Sequence, residues 1–319
     1  MNKYLGIDIA KDKFDVALLV DEKFKTKAFS NTNKGFISLL NWLDKNNYNS
    51  NELHTCMEAT GSYGLALATF LVENNYKISI VNPARVKGFS KSEMLRTKTD
   101  KEDCKLIARF CKAMVPELWK PNPKYIQLLQ GLIRRLESLM LMKLQEENRL
   151  AVTTEDPIKK SINAVIEVIE EQILEVKDKI NNCIKNNGDL NKKRELLATI
   201  PGIGEATINT ILAFLSSEQF VSAKQMAAFV GLTPKHRESG KSVKGRTNIS
   251  KIGDSQIRKT FYFPAIVAKK YNPTIKAFCE RLEKNGKSKM EIICAAMRKL
   301  IHIIFGVLKN QKPFDPKMV

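Results

Sequence analysis

The sequence predicts an α/β domain over residues 1–120, a helical hairpin over 121–190, and a mostly helical, basic domain over 191–319. Three observations carry this. Short apolar segments of strand type alternate with helical ones in the first third. An unbroken apolar repeat at three- and four-residue spacing fills the middle. Helical segments broken by one stretch rich in Gly, Ser, Lys and Arg make up the rest. At 319 residues the chain is long enough to bury at least one full core.

Taken in order, Tyr4 to Ile9 and Phe14 to Val20 are expected as strands joined by a short turn at Ala10 to Lys13, and Lys23 to Phe29 as a third strand. Asn33 is placed to cap a helix bearing Phe36, Leu39, Leu40 and Leu43 on one face. Leu53 to Glu58 is expected as a strand, Leu65 to Glu73 as a helix, and Lys77 to Val81 as a strand. After Pro83 the pattern is helical, most clearly from Asp100 to Lys112. Three meandering strands followed by helix, strand, helix, strand and helix is the element order of the ribonuclease-H-like fold.

In the middle third, Ile126, Leu129, Ile133, Leu136, Met140 and Leu144 recur at helical spacing. So do Ile158, Ile162, Val165, Ile169, Ile173, Val176, Ile180 and Ile184. Thr153 to Pro157 separates the runs, with Asp156 expected as N-cap and Pro157 at the first helical position. A hairpin or antiparallel coiled coil, acting as a spacer or dimerisation arm, follows. Asn186 to Asp189 reads as a linker, and helical periodicity fails from Leu232 to Ile252, which reads as a long loop.

The net charge is +19, from 53 Lys and Arg against 34 Asp and Glu. It is unevenly spread: +5 over residues 1–120, −1 over 121–190 and +15 over 191–319. A concentrated cationic surface points to a polyanion, DNA or RNA, because neutralising phosphates releases counterions. No apolar run is long enough to cross a membrane, and Met1 to Leu5 enters a strand pattern without a signal-type apolar core, so a cytosolic protein is expected. The six cysteines form no C-x-x-C pair and there are three histidines, which argues against zinc. A metal here would need carboxylates, and hard oxygen donors favour magnesium or manganese.

Four carboxylates fit that demand. Asp8 sits in the apolar run Gly6-Ile7-Asp8-Ile9-Ala10, where a charge is costly unless compensated. Glu58 ends its strand before Ala59-Thr60-Gly61, and Asp100 and Asp103 lie three apart on one helix face. With the first and fourth strands adjacent and the last helix across their ends, all four converge. Pairs at ~4 Å would repel by roughly 4 kcal/mol at an effective dielectric near 20, which calls for protons or divalent cations. Two such ions about 4 Å apart would suit phosphodiester chemistry. Glu102 is expected to point elsewhere, with Asp12 in the turn and Asp15 on the strand surface.

Two further motifs lie in the basic third. Ile200-Pro201-Gly202-Ile203-Gly204 before an expected helix Ala206 to Leu215 has the helix-hairpin-helix pattern. Its glycines, Gly202 and Gly204, would admit a phosphate near free amides, although a plain tight turn also satisfies it. Ser239 precedes Gly240 in a stretch with Arg237, Lys241, Lys244 and Arg246, all candidates for contacting nucleic acid. A serine among cations can attack a phosphodiester, yet on chemistry alone Ser239-Gly240 reads as loop punctuation.

Together these pieces resemble the transposases of the insertion-sequence "one-ten" family with the Piv-type DNA invertases, also called DEDD transposases or bridge-RNA-guided recombinases. The resemblance runs over nearly the whole chain. It rests on Gly6-Ile7-Asp8-Ile9-Ala10-Lys11, Met57-Glu58-Ala59-Thr60-Gly61 and Lys98-Thr99-Asp100-Lys101-Glu102-Asp103. It continues through Ile200 to Gly204, Phe229-Val230-Gly231-Leu232-Thr233-Pro234 and Glu238-Ser239-Gly240. It implies that Asp8, Glu58, Asp100 and Asp103 bind magnesium in a RuvC-like domain and that Ser239 forms a covalent phosphoserine link with cut DNA. It implies also a homo-oligomer, a dimer or tetramer, that shares sites between subunits, and a non-coding bridge RNA that chooses donor and target DNA. The alternatives are a RuvC-like endonuclease using water as nucleophile, an actin-like kinase lacking its usual phosphate loops, and a non-catalytic nucleic-acid scaffold.

Overall fold

The computed structural model describes residues 3–59, 61, 63–93, 99–235, 238–239, 243–244 and 248–318; at 217, 238, 239, 243, 244 and 318 it describes the backbone alone. The chain divides into two compact units, Met1–Asn122 and Pro123–Val319. The first carries mixed α/β structure around a central sheet.

In the first unit β1 (Lys3–Ile9), β2 (Lys13–Val20) and β3 (Lys23–Ser30) form an antiparallel meander. The β2–β3 turn is two residues, Asp21 and Glu22, at φ of 45° and 63°, the left-handed pair whose twist suits a tight hairpin. After α1 (Asn33–Lys45) the chain returns as β4 (Leu53–Glu58), parallel to β1. It passes through α2 (Leu65–Glu73) to β5 (Lys77–Val81), and ends in α3 (Pro83–Ser92) and α4 (Asp100–Met114). The sheet order is β3-β2-β1-β4-β5.

Strands β1 and β4 are covered on both faces, by α1 and α2 on one side and by α4 on the other. Leu5, Ile7 and Ile9 alternate into a core with Phe36, Leu39 and Leu43 of α1 and Leu67 and Leu71 of α2. On the opposite face, Cys56 and Val81 pack against Leu106, Ile107, Phe110 and Cys111 of α4. Gly6 is where α4 crosses β1 most closely: a Cβ there would lie 2.1 Å from the Cys104 carbonyl oxygen and 2.4 Å from the Ala108 nitrogen. The helix can lie on the strand only because that residue is glycine.

The second unit opens with α5 (Lys124–Val152) and α6 (Asp156–Lys185), which lie along one another. It continues with α7 (Gly188–Ala198), α8 (Glu205–Phe214), α9 (Ala223–Phe229), four two-residue strands, α10 (Ser255–Thr260), α11 (Tyr262–Tyr271), α12 (Pro273–Lys284) and α13 (Lys289–Asn310). The strands are β6 (Pro234–Lys235), β7 (Glu238–Ser239), β8 (Val243–Lys244) and β9 (Asn248–Ile249), with β6 paired to β9 and β7 to β8, one ladder nested inside the other. One core joins Leu129, Ile133 and Ile180 of the long pair to Leu197, Ile211, Phe261 and Leu300. Helix α13 starts with a capping box between Ser288 and Glu291.

Several sequence expectations shift. Helix α1 is capped by Thr32, whose side chain accepts from the Gly35 amide; Asn33 is its first residue. Glu155, not Asp156, precedes α6, and no side-chain bond caps it. Asp189 is no linker residue: α7 starts at Gly188, and Asp189 ion-pairs with Lys193 one turn on at 2.7 Å. Along α5 the buried seam runs Leu129, Ile133 and Leu139, leaving Met140 and Leu144 exposed, as Ile158 and Val165 are on α6. The stretch after Leu232 is not uniformly loop, since its backbone pairs in two ladders. Among the described residues no helix is long and apolar enough to cross a membrane.

Candidate carboxylate site

Strand periodicity places Asp8 on the same face as Gly6, the face α4 covers, because Ile7 and Ile9 face the other core. In the parallel β1–β4 ladder Ile7 lies opposite Met57, so the next residues, Asp8 and Glu58, sit on neighbouring strands and share that face. Helix α4 begins at Asp100, with Thr99 as N-cap accepting from the Glu102 amide. Its first turn, carrying Asp100, Glu102 and Asp103, precedes the crossing over Gly6, and negative charge is favourable at a helix start. The Glu102 carboxylate turns along the helix to Lys105, at 2.7 Å, as expected of a residue pointing away.

Electrostatics show which carboxylates sense one another. Asp8 is half-buried, and its pKa is raised first by burial and then by the charges of Asp103, Asp100 and Asp15. Burial, then Asp15 and Asp8, push the Cys104 thiol up to about 12, so it stays a thiol and is a poor metal ligand. The structure therefore sets Asp100 and Asp103 near enough to Asp8 for their charges to raise its pKa, and Glu58 on the adjoining strand.

Asp15 corrects the sequence reading. It is 8% exposed, not a strand-surface residue, because the antiparallel register puts it opposite Asp8 on the α4 face. The signal was present: Asp15 interrupts an apolar run in Phe14-Asp15-Val16-Ala17-Leu18 just as Asp8 does. Lys13, also unremarked in the sequence, donates to Asp15 at 3.1 Å and to Asp100 at 2.8 Å. Its own pKa is held up by Asp100 and Asp15, and that of Asp100 is held down by Lys13.

Whether these residues suit a metal turns on donor chemistry and spacing. The donors are all oxygens, from the ends of two interior strands and the first turn of α4, and oxygen is the donor a hard divalent cation requires. As they stand, no three His, Cys, Asp or Glu side chains among the described residues are arranged to hold one ion together. A shared ion would need side-chain rotation about fixed backbones, and Lys13 already balances part of the charge. The residues fit the group in donor type.

In the second unit Gly202 has φ of +100°, and a Cβ there would lie 2.7–2.8 Å from Ala268 of α11. Glycine at this turn is thus required by close packing of helices within the unit. Gly204 precedes α8, which no side chain caps, and the space around its Cα is open. Ser239 and Lys244 belong to the inner ladder, Ser239 opposite Val243 and Glu238 opposite Lys244. Arg237, Lys241 and Arg246 lie outside the described residues. The base of this segment is anchored by Arg258, which donates to the Val230 and Lys251 carbonyls at 3.1 and 3.4 Å, and by Arg298, which donates to the Leu232 carbonyl at 3.2 Å.

Comparison with known proteins adds two family matches. Residues 5–153 match a model described as a transposase, of the DEDD type of IS110, and residues 194–280 match one described as "Transposase IS116/IS110/IS902 family". The pilin gene-inverting proteins of Moraxella lacunata and Moraxella bovis are each 34% identical over 318 residues, covering 99% of this chain and 98% of theirs. An uncharacterized 43.6 kDa protein of insertion element IS110 from Streptomyces coelicolor is 23% identical over 124 residues, 39% of this chain and 30% of its own.

Proposed function

Because this chain belongs to the IS110 family of transposases and gene-inverting recombinases, it is a DNA-recombining enzyme, and we propose that its first unit is a RuvC-like, ribonuclease-H-like domain whose Asp8, Glu58, Asp100 and Asp103 hold Mg2+ or Mn2+ for cutting and rejoining DNA. The observation that carries this is the half-buried Asp8, raised in pKa by burial and by the first-turn carboxylates of α4. Asp8 and Glu58 stand at the ends of two interior strands on the face that α4 covers, where a charge costs more than an apolar residue would unless a cation compensates it.

When bound, the divalent ions would polarise the phosphodiester and stabilise charge on the attacking and leaving oxygens. The chain's own contribution is placement. Strand β1 fixes Asp8, the end of β4 fixes Glu58, and the Thr99 cap fixes the first turn of α4. The Ser239 hydroxyl attacks the phosphorus, its proton leaving to solvent. The new phosphoserine bond forms as the bond to the departing deoxyribose oxygen breaks, and that oxygen takes up a proton. Rejoining reverses this, with the hydroxyl of a second DNA end displacing serine. Placing Ser239 and Lys244 in a paired ladder supports the role, since a nucleophile gains from a fixed backbone.

The second unit binds DNA through the charge concentrated in residues 191–319, +15 of the total +19. Arg237, Lys241, Lys244 and Arg246, with the turn at Gly202 and Gly204 read as a helix-hairpin-helix, are the contacts we assign. A non-coding bridge RNA supplies sequence choice. The long pair α5–α6, read as an antiparallel coiled coil whose far end exposes Met140, Leu144 and Val165, joins subunits into a dimer or tetramer. Asp8→Asn and Glu58→Gln should abolish strand cleavage while leaving nucleic-acid affinity intact. Ser239→Ala should lose the covalent protein–DNA adduct; continued cutting by that variant would identify water as the nucleophile and refute the serine step.

A further inference from the structure

Asp15 and Lys13 have no part in the four-carboxylate reading, yet the fold builds them into the same site. The two-residue-period register puts Asp15 directly opposite Asp8, on the face that α4 covers, and buries it to 8% exposure. Its ion-pair partner is Lys13, two residues earlier on β2, at 3.1 Å. The same ammonium reaches across to Asp100 in the first turn of α4 at 2.8 Å. Asp15, Lys13 and Asp100 thus form a bridge from strand to helix in front of Asp8. A divalent ion that takes up Asp100 and the Lys13 ammonium address the same carboxylate.

We propose that Asp15 and Lys13 are working parts of the metal site: Asp15 as a fifth carboxylate that positions Lys13 and adds negative field beside Asp8, and Lys13 as a built-in cation that competes with a divalent ion for Asp100. This inference rests on the metal-binding reading of Asp8, Glu58, Asp100 and Asp103. It goes further by assigning opposite signs to two neighbouring side chains. Lys13 is half exposed and its charge is largely screened, so it lowers metal affinity modestly. The Asp15 charge is shielded from water by α4 and acts on the ion at closer to full strength. Removing Asp15 also frees Lys13 to pair with Asp100 alone, which pushes affinity the same way.

The test is a titration of the full chain with Mn2+, reading free Mn2+ by electron paramagnetic resonance at low salt. Wild type is compared with Lys13→Gln, Asp15→Asn, the double variant and Asp8→Asn. Lys13→Gln should bind Mn2+ about two- to fivefold more tightly. Asp15→Asn should bind at least roughly tenfold more weakly, the effect of deleting one unit charge about 6 Å from a divalent ion in bulk water, a floor that shielding from solvent raises. The double variant should fall between. Thermal unfolding of each variant in chelator checks that the fold is kept, and Lys13→Gln, at an exposed position, tests the claim even if Asp15→Asn folds poorly. If Asp8→Asn abolishes binding but Lys13→Gln is unchanged or weaker, or a folded Asp15→Asn is unchanged, the inference is wrong and the four-carboxylate reading stands. If Asp8→Asn binds Mn2+ like wild type, both fall.

Discussion

Gly6→Ala tests whether the α4 crossing governs the site. The added Cβ would lie 2.1 Å from the Cys104 carbonyl oxygen, 2.4 Å from the Ala108 nitrogen and 3.0 Å from the Ala108 Cα, all backbone. No side-chain rotation relieves such contacts, so strand and helix must part. Reaching the 3.0 Å that real Cβ contacts respect takes about 0.9 Å. Overpacking of this kind costs about 3 kcal/mol. For a unit the size of Met1–Asn122 that corresponds to a Tm lower by roughly 10 °C. The displaced element carries Asp100 and Asp103, and an error near 1 Å in a catalytic group costs on the order of a hundredfold in rate. Calorimetry of the chelated protein and a strand-cleavage assay read the two effects. Gly131→Ala in α5, where a Cβ would meet nothing within 4 Å, is the control and should hold or gain up to about 1 kcal/mol. A Gly6→Ala protein that melts within about 2 °C of wild type and cleaves normally would refute the account of the crossing.

Three further outcomes follow from the same geometry. Asp8 has a folded-state pKa raised chiefly by burial, then by Asp103, Asp100 and Asp15. Its contribution to stability is therefore present at acid pH and lost as pH rises through the raised value. In chelator Asp8→Asn should melt above wild type at pH 7, with the gap closing toward pH 4; a variant melting at or below wild type at neutral pH would contradict the crowding of Asp8. Thr99→Ala removes the cap bond to the Glu102 amide and should cost about 1 kcal/mol, with a loss of Mn2+ affinity because the first turn of α4 frays; calorimetry and Mn2+ titration measure both. A fragment ending at Asn122 retains one compact unit but only +5 of the +19 charge, so it should lose salt-dependent, nonspecific DNA binding in filter or gel assays; undiminished binding near 0.15 M salt would move the polyanion surface to the first unit.

The first unit was legible in outline because most of its strands are apolar over lengths and spacings that helices do not imitate; β4 and β5 fall on the residues expected. What local pattern could not supply was the cover on the second face of the sheet. Alternation suggests that every other strand residue meets water, and so consigns Asp15 to the surface. Once α4 lies on that face the same alternation buries Asp15 beside Asp8. The caps slipped by one residue at Thr32 and Glu155, since Thr, Asn, Glu and Asp adjoin at these helix starts and only backbone angles choose among them. On α5 the repeat continued through Met140 and Leu144, but burial ends at Leu139, because apolar spacing states which residues share a face without stating how far the partner surface extends.

The two units differ in how firmly residues can be tied to function, and the difference is physical. A carboxylate in an apolar strand carries a desolvation cost that a reader of sequence can recognise without any structure, and the fold then adds like charges from α4 that raise it further. A serine carries no such cost: its hydroxyl sits as well in a turn as in a catalytic centre, so the role proposed for Ser239 rests on the sequence resemblance and on the paired backbone that holds it. The glycines at 202 and 204 fall between. Close packing on Ala268 is reason enough for the glycine at 202 whatever the turn binds, so a Gly202→Ala defect would report on the core of the unit before it reported on phosphate contact. Gly204 has open space around it, and a substitution there that weakened DNA binding without lowering Tm would speak for the interface. Residue and function are therefore tied most firmly where burial makes charge expensive, at the end of β1 beneath α4.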